Sequence, residues 1–310
     1  MPYLKVPYLN VNEIEEIEKI KLYYQFEGHR DNPLVVFLNG LTMDTSAWQL
    51  LSQALGADYC YLKYDCRGQG QSDKPLDDLY RPEEHSQDFI NLLEGLEIQA
   101  CHLVGLSNGG LVAALSAAAL EELGVKILSL TMIDSFISVD TMLKSILNSW
   151  QQATLLGGSQ LRFDVALPWV WGYAFIQENY DSLLSFRERA SQANARVVLN
   201  LIEGLASFAD KTLAKKALRA YRGPCLVLVG KDDLLTPLRY SHEIVEWAKH
   251  GLLVTLDRAG HAAPIEVPLA VARLLQGFWA RQGEFLPEDG PADGLNDHLD
   301  NLADELDDDR

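Results

Sequence analysis

No apolar run in the sequence approaches the roughly 18 residues needed to cross a membrane. The first residues, Met1-Pro2-Tyr3-Leu4-Lys5, lack the basic and then continuously apolar pattern of a secretory leader. A cytoplasmic protein with no membrane span is the expectation. Cysteine is scarce, four residues in 310, and Cys60, Cys66, Cys101 and Cys225 are scattered without metal-like pairing. No disulfide framework, metal site or other cofactor is therefore expected. Three of the four fall in or beside apolar strand-like segments, where cysteine packs as a small hydrophobe. Cys66 is the one candidate for a reactive thiol, but its neighbours Asp65 and Arg67 fit a structural turn better. Cationic charge is also short. The 26 Lys and Arg stand against 44 Asp and Glu, a net charge of -18 that disfavours nucleic acid or an anionic membrane as partner. There is no internal repeat.

The acidity is concentrated at one end. Residues 284–310 hold 11 acidic residues and one arginine, about -10 of the -18, which leaves about -8 for the rest of the chain. Within this tail Leu295, Leu299, Leu302 and Leu306 share one helical stripe. So short a helix is marginal alone, and its acidic last turn opposes the helix dipole. The tail reads either as a solvated segment or as a conditional helix that docks on its own domain or on a partner.

What the sequence does have is a core. Hydrophobic residues make up 48% of it and mean hydropathy is -0.05, so one large domain, or one domain with an inserted lobe, is expected. Strand-like and helix-like segments alternate. Ile20 to Phe26, Leu34 to Leu38, Tyr59 to Tyr64, Cys101 to Leu106, Ile127 to Ile133, Cys225 to Val229 and Leu252 to Leu256 read as strands. Thr45 to Leu55, Pro82 to about Leu96, the Ala- and Leu-rich run to Leu123, and Pro264 to Arg281 read as helices. Such alternation implies a largely parallel sheet covered by helices on both faces. From about Ser138 to Tyr221 the rhythm breaks, with helical periodicity and no strand. A structureless loop of about 80 residues is implausible, so a helical lobe inserted between two strands is the better reading.

Gly105-Leu106-Ser107-Asn108-Gly109 has the G-x-S-x-G form, at the junction of a buried strand and a helix. Roughly 0.1 chance matches are expected in a chain of this length, so position is what gives the pentapeptide weight. A serine hydroxyl is a poor nucleophile unless held against a base. His261, in Ala259-Gly260-His261, is the candidate base, because imidazole titrates near neutral pH and can take and return the serine proton. Of the remaining histidines, His85 and His242 sit in helical segments, His250 at a helix end, His102 at a strand start, and His29 and His298 in polar stretches.

With these motifs the chain resembles the α/β-hydrolase family, from about Leu22 to Arg281. Asn39-Gly40-Leu41 stands where the family often has His-Gly, a feature similar to its enol-lactonase-like branch. Asp65-x-Arg67-Gly68-x-Gly70-x-Ser72 matches the family's turn, and Gly230-Lys231-Asp232-Asp233-Leu234-Leu235-Thr236-Pro237 resembles its acid loop. The order Ser, Asp, His is also the family's. The resemblance implies an α/β-hydrolase fold, a mostly parallel sheet flanked by helices with an inserted helical cap lobe. Residues 1–137 and 222–283 would form the core domain, 138–221 the cap and 284–310 a disordered acidic tail.

It also implies a triad of Ser107, Asp233 and His261, with Asp134 and Asp232 as alternative acids. The backbone amides of Leu41 and Asn108 would form the oxyanion hole, and Thr42 is a further candidate there. The inserted lobe is rich in aromatic residues, most of them expected to be core, and Trp169 and Trp171 are the candidates for lining a pocket. The expected activity is hydrolysis of a carboxylic ester, lactones included, of a small and largely apolar substrate. A thioesterase, a carbon–carbon bond hydrolase or an acyltransferase would use the same residues. A non-catalytic binding protein on the same fold is the alternative from another class.

Overall fold

The structure is a computed structural model that describes residues 2–8, 18–76, 79–208, 210 and 212–281. The acidic segment 284–310 and its leucine stripe lie outside the described residues. Eight strands form one sheet: β1 (Tyr3–Tyr8), β2 (Glu18–Glu27), β3 (Leu34–Leu38), β4 (Cys60–Tyr64), β5 (Ala100–Leu106), β6 (Lys126–Ile133), β7 (Cys225–Gly230) and β8 (Gly251–Leu256). Their spatial order is β1-β2-β4-β3-β5-β6-β7-β8. β2 pairs antiparallel with both β1 and β4, and every later pair is parallel. The sequence reading did not include β1. Pro7 weakens its strand signal, and β1 tolerates the proline because it lies at the sheet edge.

The apolar strand runs are continuous because both faces of the sheet are covered. Along β3, Val35 and Phe37 pack with Trp48, with Leu51 and Leu55 of α1 (Gln49–Leu55), and with Leu275 and Phe278 of α11 (Pro268–Ala280). Val36 and Leu38 point to the other face. They pack in a cluster with Phe89 of α2 (Pro82–Gly95), Leu111 of α3 (Asn108–Glu122), Leu218 of α8 (Leu213–Ala220) and Ile244 of α9 (Leu238–Trp247). The single last helix expected from Pro264 onward is in fact two, α10 (Ala263–Glu266) and α11. They break at Val267 (φ -134°, ψ 55°), because Pro268 disfavours helical backbone at the residue before it.

Between β6 and β7 the described residues contain helices and no strand: α4 (Thr141–Val170), α5 (Tyr173–Glu178), α6 (Tyr180–Ser191), α7 (Ala195–Ala206) and α8. α4 is bent into two arms at Gly157 and Gly158, where φ reaches 68°. α7 is tied to the rest through Asn200, whose Nδ2 donates to the Leu76 carbonyl at 2.8 Å and whose carbonyl accepts from the Tyr80 amide at 3.3 Å. No helix of the described residues is long and apolar enough to cross a membrane.

Register decides where the loops emerge. Leu38 lies beside Gly105, Leu106 beside Ile133, and Ile133 beside Leu228. The loops after β3, β5, β6, β7 and β8 therefore leave the same edge of the sheet, where open α/β sheets hold their sites. The turn after β4 braces this edge. Asp65 accepts from the amides of Thr45 and Gln71 at 2.8 Å each, and Gln69 Nε2 donates to the Gly40 carbonyl at 2.8 Å. Arg67 grips Asp88 of α2 with Nε and Nη2 at 2.6 and 2.7 Å, both side chains being buried.

Breaking that pair should be costly. Arg67→Ala leaves Asp88 buried without its cation, which should lower stability by roughly 3–5 kcal/mol in urea unfolding. Replacing both residues together (Arg67→Met with Asp88→Leu) should recover most of the loss. An equal loss in the single and double variants would show that the pair matters only through packing.

Candidate active site

Ser107 occupies the turn between β5 and α3 with φ 55° and ψ -121°, a left-handed conformation costing a non-glycine residue about 1–3 kcal/mol. Its backbone is pinned on both sides. The amide donates to the Ile133 carbonyl at 2.9 Å, and the carbonyl accepts from Ser135 Oγ at 2.7 Å and the Gly110 amide at 3.0 Å. The flanking glycines answer a packing demand. A Cβ at Gly105 would sit 2.4 Å from the Gly109 carbonyl oxygen, and one at Gly109 would sit 2.1 Å from that of Leu38. Only without those carbons can strand and helix approach closely enough to form the turn.

His261 follows β8 and Asp233 follows β7; both are buried. His261 Nδ1 lies 2.9 Å from Asp233 Oδ2. The carboxylate is held from behind, with Oδ1 accepting from the amides of Leu235 and Thr236 at 2.8 and 2.9 Å. Of the three acids considered, the structure brings only Asp233 to the imidazole. Asp232 is exposed. Asp134 is fully buried at the end of β6 (φ 46°), but its carboxylate accepts from the amides of Gly230 at 2.8 Å and Ala263 at 3.1 Å. It fastens the two loops that carry Asp233 and His261. Burial first, and the neighbouring Asp233 second, hold the Asp134 carboxyl well above the usual range.

The Ser107 hydroxyl makes no hydrogen bond to the imidazole, a contact that commonly tightens only once substrate is bound. Among the described residues the amides of Asn108 and Leu41 donate to no protein acceptor. Asn108 heads α3, where amides lack intrahelical partners and the helix dipole favours negative charge. Leu41 packs against Tyr80 and, in the same cluster, Val197 and Leu201 of α7. Asn39 points elsewhere. Its side chain donates to the Tyr64 carbonyl at 3.0 Å and accepts from Trp48 Nε1 at 2.7 Å, which makes it a core bracket. Thr42 has φ 62°.

Two residues here escaped the sequence reading. Thr236 Oγ1 lies 2.8 Å from Asp233 Oδ2, 3.1 Å from His261 Nδ1 and 2.9 Å from the Asp134 carbonyl, so one hydroxyl touches all three loops. Glu266 accepts from the amides of Gly260 and Ala262, on either side of His261, at 3.0 Å each. It also accepts from the Gly172 amide of the inserted segment at 2.9 Å. The available signal was a lone acid in the otherwise uncharged stretch Ala259 to Pro268.

The aromatic candidates divide. Trp171 stacks on Phe175 and Phe186, with ring centres 5.0 and 5.6 Å apart, and clusters with Ala262 beside His261. Trp169 is partly buried against the main core cluster. The other buried histidines have structural partners: His85 lies against Tyr80 and the Arg67 carbonyl, His102 between Ser129 and Trp279. Burial pushes the Cys66 thiol up to about 12, so it is no thiolate near neutral pH.

Residues 35–274 match the model of the alpha/beta hydrolase family. A putative carbamate hydrolase RutD of Pantoea ananatis is 30% identical over 281 residues, covering 88% of this chain and 98% of its own. The 3-oxoadipate enol-lactonase 2 of Acinetobacter baylyi is 25% identical over 281 residues, covering 89% and 99%. Among solved structures, the enol-lactonase of Burkholderia xenovorans superposes with a TM-score of 0.75 at 23% identity, over 84% of this chain and 97% of that one. A thermophilic esterase of Thermogutta terrifontis gives 0.75 at 21% identity, over 90% and 98%.

Burial pulls the His261 pKa down, but the Asp233 carboxylate beside it outweighs this, helped by Asp134 and Glu266, and leaves it above the ordinary 6.5. The fold thus favours the imidazolium. Its contribution to stability should be complete below pH 6.5 and fade as pH rises through the raised folded value. An NMR titration of the His261 ring should place its midpoint above 6.5 and move it down in Asp233→Asn and, by less, in Glu266→Gln. A wild-type midpoint below 6.5 would contradict this balance.

Proposed function

The chain belongs to the alpha/beta hydrolase family, and from that premise we propose that it is a serine hydrolase cleaving a carboxylic ester or lactone of a small, largely apolar substrate. The observation that carries the proposal is the left-handed Ser107 turn on the same sheet edge as a buried imidazole–carboxylate pair. In this reading Asp233 fixes the tautomer with the proton on Nδ1, which leaves Nε2 free to act as the base. Ser107 Oγ attacks the carbonyl carbon and passes its proton to His261 Nε2. The amides of Asn108 and Leu41 receive the oxyanion as preorganised donors.

Collapse of the tetrahedral species breaks the bond to the alkoxy oxygen, which leaves with the proton from Nε2. Water then attacks the acyl-enzyme, again through Nε2, and the serine proton is restored. A carbamate, the bond named for the RutD relative, presents a similar carbonyl to the same residues. Residues 138–221 act here as a cap over the strand ends. Two contacts support this role: the His261 amide donates to the Val170 carbonyl at 2.8 Å, and Glu266 binds Gly172. Water excluded beneath such a cap would strengthen every polar contact to the oxyanion.

A fluorophosphonate probe should label Ser107 in the folded protein, read by mass spectrometry of the peptide. Absence of an adduct would overturn the proposal. Across a panel of esters, lactones, thioesters and carbamates, Ser107→Ala should lower kcat by roughly 10⁴-fold or more on any substrate turned over. Loss of the base by protonation should give kcat/KM an acid limb above pH 6.5, in line with the raised His261 value.

A further inference from the structure

Burial opposes a charge on His261, yet three anions outweigh it: Asp233 touches the imidazole, and Asp134 and Glu266 act on it from farther off. A base has to be free of its proton at the pH where it works, so this field needs a counterweight. Donors on the carboxylate supply one, because a hydrogen bond to a charged oxygen spreads its charge and weakens its pull on a neighbouring cation. Asp233 has three donors besides the imidazole. Two are the amides of Leu235 and Thr236, both on Oδ1, which does not meet the ring. The third is the Thr236 hydroxyl, 2.8 Å from Oδ2, the oxygen that the imidazole itself uses.

That hydroxyl is fully buried and has one proton to give. Three atoms lie within its reach: Asp233 Oδ2 at 2.8 Å, the Asp134 carbonyl oxygen at 2.9 Å and His261 Nδ1 at 3.1 Å. Nδ1 and Oδ2 are themselves 2.9 Å apart, so Oγ1, Oδ2 and Nδ1 form a nearly equilateral triangle. The angle at Oγ1 is then roughly 60°, far less than the near-tetrahedral angle between a hydroxyl's O–H bond and its lone pairs. A hydroxyl that donates to Oδ2 therefore cannot also accept well from Nδ1–H, which has the nearer Oδ2 as its acceptor. Of the two oxygens that can take the hydroxyl proton, the carboxylate is both closer and charged. A charge-assisted bond is about twice as strong as one to a neutral carbonyl.

We propose that Thr236 is a positioning residue that sets the strength of the base: its hydroxyl donates to Asp233 Oδ2 and so limits how strongly the carboxylate favours the imidazolium. The role of His261 as base rests on the hydrolase reading above; the hydrogen bond and its effect on the ring do not. Thr236 acts through Asp233 and not on substrate. Losing the hydroxyl leaves the carboxylate in place, since the amides of residues 235 and 236 still bind Oδ1. It concentrates charge on the oxygen that faces the ring.

The test uses the full-length protein and Thr236→Val, which matches the side chain in shape and removes the donor. NMR titration of the His261 ring should show a midpoint raised by roughly half a unit or more over wild type. Thr236→Ala should shift it the same way, and Thr236→Ser, which keeps the hydroxyl, should return it to the wild-type value. In an Asp233→Asn background, where the charged acceptor is gone, Thr236→Val should no longer raise the midpoint. Fluorophosphonate labelling of Ser107 is the second readout. On the acid limb Thr236→Val should label roughly threefold more slowly than wild type at the same pH, and the gap should narrow as pH rises past both midpoints.

A midpoint unmoved in Thr236→Val would reduce the hydroxyl to a brace between loops and overturn the proposal. A midpoint that falls would overturn it as well, because the hydroxyl would then be accepting from the imidazolium. So would a Thr236→Ser protein that titrates like Thr236→Val. A raised midpoint in a protein whose wild-type Ser107 takes no fluorophosphonate would leave the tuning of His261 standing and refute the serine hydrolase.

Discussion

The site depends on one close approach of backbone to backbone. The head of α3 lies so near the end of β3 that Gly109 has no room for a Cβ against the Leu38 carbonyl. At that approach Ser107 stands in left-handed backbone, as a sharp strand-to-helix turn requires. It also leaves the Asn108 amide as a free donor at a helix N-terminus, near the loop that carries Leu41. The conformational cost is met by the hydrogen bonds from Ser135 and to Ile133, both on the neighbouring strand end. The Ser107 turn, the free Asn108 amide and the strain in the backbone thus share one packing constraint.

Around this turn, carboxylates fasten loops. Asp134 joins the acid loop to the histidine loop, Glu266 joins the histidine loop to the inserted helices, and Asp65 joins the turn after β4 to Thr45. Each binds backbone amides that a loop at a sheet edge cannot satisfy through the ladder. The anions beside His261 also favour its charged form. Structural fastening and electrostatic tuning here use the same groups.

The inserted segment reaches the site at two places, through Val170 and Gly172 on the histidine loop and through α7 against the loop of Leu41. Displacing it would therefore disturb both the loop of His261 and the loop of Leu41. Its aromatic residues hold the segment together: Trp171, between Phe175 and Phe186, is a packing centre.

Much of this was legible in the sequence because it is locally encoded. Gly105 to Gly109 after a buried run specifies a strand–turn–helix from neighbouring residues alone, as do the loops ending at Asp233 and His261. Alternation of apolar segments likewise determined a mostly parallel sheet with helices on both faces, and the absence of strands marked the insertion. Tertiary structure decided what depends on contacts between distant loops. Asp233 rather than Asp134 or Asp232 meets the imidazole because the loop after β7 is folded back by its own amides, while Asp134 is spent on Gly230 and Ala263. Glu266 and Thr236 carry no distinctive spacing. Their roles come from hydrogen bonds with groups far off in the chain, which only the packed fold brings within reach.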